Sequence, residues 1–409
     1  MTTDCNESAS VRVPNPEADA LKASGPRDEI TEIEEGLHRV FSSLLALAQE
    51  QHLSTVCDSF SRLKQDTEEC LFSGCSPIFC PIFPTNARRA LSEFRFLLEL
   101  KECISRLPVE ELQTKSGEME KYLAYAEWDF KDSQAGFKNE TARLAGVYAM
   151  RVSDFVSQTS EQLSDEIREQ YRLLEESDRS ERSDRMSVFV QARLQEVFGN
   201  WQSPFEESSI ELFQHAAIRF ARHACELISG VRSSTRSLFG CSAQSGDWRE
   251  DFGESDCFTC LRDRGPDCFL SDTQLQFPTP HFRKHLLRNM LRNASSDLLG
   301  YASHAVEEHK GYLDKCCCDL LTRMEEQLTQ TKAGICDVVE TSLRRSERLG
   351  KSSPVEREHE ENCNTLDVLH RFADGLDLLL CRWESVGDTV REGSLNVKAA
   401  ETRGANQYE

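Results

Sequence analysis

Residues 210–231 read IELFQHAAIRFARHACELISGV, and their spacing decides the fold class. Ile210, Phe213, Ala217, Phe220, Ala224, Leu227 and Val231 follow one another at alternating intervals of three and four residues. That interval places all of them on one face of an α-helix, as the apolar seam of a coiled coil does. The small Ala217 and Ala224 leave room for a neighbouring helix to come close. Gly230 and the serines that follow predict the end of this helix.

The same interval recurs near the C-terminus through Leu369, Phe372, Leu376, Leu379, Trp383, Val386 and Val390. It recurs near the N-terminus through Ile30, Ile33, Leu37, Val40, Leu44 and Leu47, with a change of phase near His52 before Val56, Phe60 and Leu63. Further helices are expected over residues 86–107, stopped by Pro108, over 109–130, over 137–176, and over 187–198, where Gly199 is a natural stop. Residues 281–348 contain no proline and stay periodic; Gly311 and Gly334 are the places where such a long helix would bend or divide. Alternating β-branched runs with hairpin dipeptides are missing.

The expected fold is therefore all-α: an elongated bundle of long antiparallel helices with coiled-coil-like seams, disordered termini and a cysteine-containing loop insertion. The expected divisions are a disordered tail at 1–27, an N-terminal bundle at 28–180, and a long-helix region at 181–348 with an insertion at about 233–280. A linker at 349–364, a C-terminal helix at 365–391 that packs back on the bundle, and a tail at 392–409 complete the chain.

The chain has 409 residues with 48 Lys and Arg against 70 Asp and Glu, a formal charge of −22. Such a field repels a phosphate backbone, so nucleic-acid binding is not expected. No apolar run approaches the roughly 20 residues of a membrane span. The opening MTTDCNESASVRVPNPEADA has no basic start followed by an apolar stretch. With that, the 17 cysteines are expected as reduced thiols in a cytoplasmic or nuclear protein. For the adjacent Cys316, Cys317 and Cys318, one buried and two exposed is the expectation, since neighbours on a helix diverge by about 100°.

Motifs with chemistry are few. Cys257-Phe-Thr-Cys260, then Cys268, His281 and His285, supplies enough sulfur and nitrogen for a tetrahedral zinc site, although the spacings match no standard finger. In CSPIFCPIFP, residues 75–84, the prolines enforce an extended crossover whose Ile78, Phe79, Ile82 and Phe83 would plug the end of a bundle. Gly350-Lys351-Ser352 imitates a phosphate loop, but Arg345 stands where the motif requires glycine. No serine elbow, dinucleotide-binding glycines or calcium loop occurs.

No catalytic residue and no organic cofactor is therefore expected. The leading expectation is a non-catalytic helical scaffold that meets protein partners, or a second copy of itself, through its amphipathic seams. Ile210, Phe213, Phe220, Leu227, Leu369, Phe372, Leu376, Leu379 and Trp383 are the residues assigned to those seams. A second reading is the helical stalk or effector portion of a dynamin-like large GTPase without its nucleotide domain, an analogy of architecture alone. A third is a zinc- or redox-responsive regulator built on Cys257, Cys260 and Cys268.

Overall fold

In the computed structural model the residues described are 26–73, 83–174, 179–241, 286–349, 365–366 and 368–386. They are helical throughout apart from short turns, and no strand occurs among them. In chain order the helices are α1 (Pro26–Glu50), α2 (Ser54–Ser73), α3 (Phe83–Ser105), α4 (Val109–Leu173), α5 (Arg179–Phe239) and α6 (Leu286–Leu349), followed by α7 (368–386). Residues 1–25, the C-terminal tail, the 349–364 linker beyond Leu349, Val390 and most of the expected insertion lie outside the described residues, while Pro26 and Arg27, expected in the tail, open α1.

Several expected helix ends do not exist. The separate helices at 109–130 and 137–176 are one, because α4 runs on through Gly136. α5 likewise passes Gly199, Pro204 and Gly230, so its seam does not stop at Gly230 and the insertion cannot begin at 233. Glycine costs a helix about 1 kcal/mol relative to alanine. The apolar faces buried on both sides of each glycine outweigh that. α6 likewise continues through Gly311 and Gly334.

The chain divides into two compact units. One comprises the described residues up to Arg106 together with those from Cys336 onward; the other is Leu107–Ile335.

In the first unit α1 presents Ile33, Leu37, Phe41, Leu44 and Ala48, all fully buried. Aromatic rings join the helices: Phe41 stacks on Phe60 at 6.4 Å and meets Phe83 edge-on at 5.9 Å. Phe83 in turn stacks on Trp383 of α7 at 5.2 Å. Phe83 is buried in the bundle as expected, but with Pro84 it opens α3 and does not belong to an extended crossover; Ile78, Phe79 and Ile82 lie outside the described residues. Gly36 of α1 lies under Leu379, where a Cβ would come within 3.0 Å of Leu379 Cδ2. Arg88 of α3 grips both oxygens of Glu384 at 2.9 and 3.3 Å, and Gln51 donates to Thr365 Oγ1 at 3.1 Å.

The change of phase at His52 is a helix stop of the Schellman type. His52 adopts a left-handed φ of 59°, its N–H donates to the Gln49 carbonyl at 3.0 Å, and the Leu53 N–H donates to Ala48 at 3.1 Å. The buried Leu53 and Ala48 make the apolar pair of that motif. α5 ends the same way, with Gly240 at φ 73° and Cys241 N–H on the Arg236 carbonyl at 2.9 Å.

The second unit is built on three long helices, of which α4 alone has 65 residues, roughly 100 Å of helix. α4 runs antiparallel to α6: Lys332 donates to Glu127, Gln134 to Glu325, and Ser160 meets Ser295. α4 also opposes α5, through Phe130 with Phe220 and Arg193 with Glu166. The long antiparallel helices expected are thus present in α4 against α5 and α4 against α6, while α5 and α6 run parallel to each other. Ser209 meets His309 and Arg232 meets Thr331, separations of 100 and 99 residues. Periodicity shows which face of a helix is oily and is silent on direction.

Candidate functional site

The apolar core of the three-helix unit falls into two clusters. One gathers Phe130, Phe137, Phe213, Phe220, Leu313 and Met324 with their neighbours; the other gathers Val152, Leu163, Ile167, Leu194 and Leu298 with theirs. Between them along the helices lies a polar layer. α4 contributes Tyr148, α5 contributes Glu206 and Ser209, and α6 contributes His309, all buried.

His309 Nε2 lies 2.8 Å from Ser209 Oγ. The imidazole stacks on the Tyr148 ring with centroids 4.0 Å apart and planes at 29°. The Tyr148 hydroxyl donates to Glu206 Oε1 at 3.5 Å. Burial holds the His309 pKa down at about 4, so the ring is neutral at pH 7. Burial first, then the Glu206 carboxylate, pushes the Tyr148 phenol above its ordinary range.

A serine within hydrogen-bond reach of a neutral histidine is the geometry of a nucleophile and its base. Chemistry also needs a route for substrate to the hydroxyl. Ser209 is 6% exposed and His309 3%, enclosed by three helices. What this layer can do is fix register. A shift of any helix by one residue turns a polar group of the layer towards the adjoining apolar clusters. Arg232 and Thr331, buried further along α5 and α6 and bonded at 3.2 Å, hold the same parallel register.

The seam residues are distributed between the units. Phe213 and Phe220 are buried against α4 and α6, with Phe220 stacked on Phe137 at 5.0 Å, while Ile210 and Leu227 pack at the edge of that cluster. Leu369, Leu376 and Trp383 are buried in the first unit; Phe372 and Leu379 are half-buried. Each seam packs against helices of its own unit: Phe213 and Phe220 against Phe137, and Leu379 over Gly36.

Cys316 and Cys317 are both buried and Cys318 is exposed, against the expected one and two. α6 is covered by α4 and α5 together, which widens its apolar face beyond a single seam. Cys257, Cys260, Cys268, His281 and His285 lie outside the described residues. Among the described residues no three His, Cys, Asp or Glu side chains converge to hold a metal. No described helix is long and apolar enough to cross a membrane.

The outer surface is less uniform than its charge suggests. On α4, Tyr122, Tyr125 and Trp128 are each more than half exposed, and the last two rings lie 6.1 Å apart. No protein-family model matches the chain, and no curated protein matches it either.

Proposed function

We propose that this chain is a non-catalytic helical scaffold that acts by protein–protein contact. The observation that carries this reading is the contrast between its sealed and its exposed groups. Ser209 and His309 are shut inside three helices, whereas three large aromatic side chains stand on the outer face of α4. Exposed clustered aromatics are characteristic of surfaces that meet other proteins. The seams at 210–231 and 369–386 are covered by the chain's own helices, so the contact surface belongs to outward faces. Cys316 and Cys317, packed as small apolar core residues, support a reducing compartment, cytoplasm or nucleus.

Capture from a cell extract tests the reading, with the full chain run beside its Tyr125→Ala/Trp128→Ala variant. Proteins retained by the first and released by the second are expected. Identical retention by both, or a turnover that disappears in a folded Ser209→Ala variant, would overturn it.

A further inference from the structure

α4 is buried on one side by Met119, Leu123, Ala126 and Phe130, and its opposite side faces outward. Along that side run two ridges of interval four, Gly117–Lys121–Tyr125 and Asp132 flanked by Trp128 and Gly136, all exposed. Their order is self-complementary. Read in opposite directions from the midpoint between Ala126 and Glu127, Tyr125 falls on Trp128, Lys121 on Asp132 and Gly117 on Gly136.

We propose that α4 carries a homodimer interface, in which this stripe packs antiparallel against the same stripe of a second copy of the chain. A two-fold contact of this kind requires one patch to match itself, and this patch does so three times over. At its centre Tyr125, 62% exposed, and Trp128, 63% exposed, meet their counterparts as a cluster of four rings. Lys121 and Asp132, neither of them ion-paired among the described residues, form two symmetric salt bridges across it. At its ends the glycines admit close approach of the two backbones. A Cβ at Gly117 or Gly136 would meet nothing within 4 Å, so the chain itself offers no packing reason for glycine inside this helix. Tyr122, 53% exposed, flanks the stripe and comes opposite Lys131, whose ammonium suits an aromatic face.

The stripe covers twenty residues, roughly 30 Å of helix. That is short beside the standard interface of about 800 Å² per partner, so the expected dimer is weak, with a Kd on the order of 10–100 μM. The inference rests on reading the chain as an interaction protein and names one of its partners.

Sedimentation equilibrium of the full chain across that concentration range tests it. The mass is expected to rise from monomer towards twice that value. Trp128→Glu is expected to leave monomer throughout. Lys121→Asp and Asp132→Lys each bring like charges together twice per dimer and are expected to weaken it on the order of tenfold. The double variant Lys121→Asp/Asp132→Lys restores both pairs and is expected to recover the wild-type Kd to within about threefold. These positions are exposed, and an unchanged helical circular-dichroism signal confirms that each variant is folded. A chain that stays monomeric at every concentration, or a dimer indifferent to the charge swap, would overturn the proposal. A monomer that still retains proteins in the capture experiment would sink the dimer and leave the scaffold standing.

Discussion

His309 and Ser209 meet at 2.8 Å beneath the ring of Tyr148, and one helix supplies each of the three. Placed at the junction of two apolar clusters, this contact couples the register of the unit to the protonation of one imidazole.

The native ring titrates near pH 4 against an ordinary value of 6.5. Between those values the unfolded chain holds a proton that the native state does not, so stability falls as pH falls from 6.5 towards 4. The full loss from this group is about 3 kcal/mol. Urea midpoints at pH 7.5, 5.5 and 4.5 are expected to fall more steeply for wild type than for His309→Gln. Parallel slopes would count against the assignment.

Glu127 bridges α4 and α6. Its hydrogen bond from Lys332 at 2.7 Å, and then that from Lys131 at 3.0 Å, bring its pKa down to about 2. The support it gives is present above its ordinary pKa of 4.5 and is lost as pH falls through about 2. Lys332→Met is expected to move the carboxyl titration, followed by carbon NMR, back towards 4.5. The change in stability is expected to stay within about 1 kcal/mol, because the pair is partly solvated.

His52 occupies a left-handed position that glycine fills in the equivalent stop at Gly240. Its side chain is exposed, so His52→Gly relieves backbone strain at no cost in packing. Thermal or chemical unfolding is expected to show a gain of about 0.5–1 kcal/mol. A loss would mean that the imidazole is held by a contact of its own.

Leu379 and Leu380 separate a strict heptad from a real helix. Leu380 is fully buried and Leu379 only half-buried. Leu380→Ala is expected to cost about 2–5 kcal/mol and Leu379→Ala about 1 kcal/mol, measured by urea unfolding. The reverse order would restore the alternating spacing as the true core.

The helical class and most of the buried faces were legible in the residues themselves, and the misassigned seam residues share one cause. A strict three–four repeat advances 3.5 residues per turn, and a straight helix 3.6, a drift of about 20° per heptad. The expected α1 face is right at Ile33, Leu37 and Leu44, yet Ile30 is only half-buried and the structure buries Phe41 and Ala48 where Val40 and Leu47 were expected. Ile228 likewise replaces Leu227, and Leu380 replaces Leu379. The polar layer left a fainter signal. His309 sits in phase with the buried Leu298, Ala302, Leu313 and Cys316, so a histidine on an oily stripe marked the place. That it meets Tyr148, Glu206 and Ser209 was not legible, because they come from other helices, and the pairing with Ser209 depends on a parallel direction that periodicity does not encode.

The first unit joins the two ends of the chain, with Phe83 laid against Trp383 and Gly36 beneath Leu379. A ribosome adding about 5–20 residues per second delivers Trp383 some 15–60 s after Phe83. Throughout that delay the side of Phe83 that Trp383 covers and the flank of α1 at Gly36 stay open, while Phe41 already packs against the Phe83 ring. A surface made early in the birth of this protein is thus closed late, and a chaperone resting there would shield it in the interval.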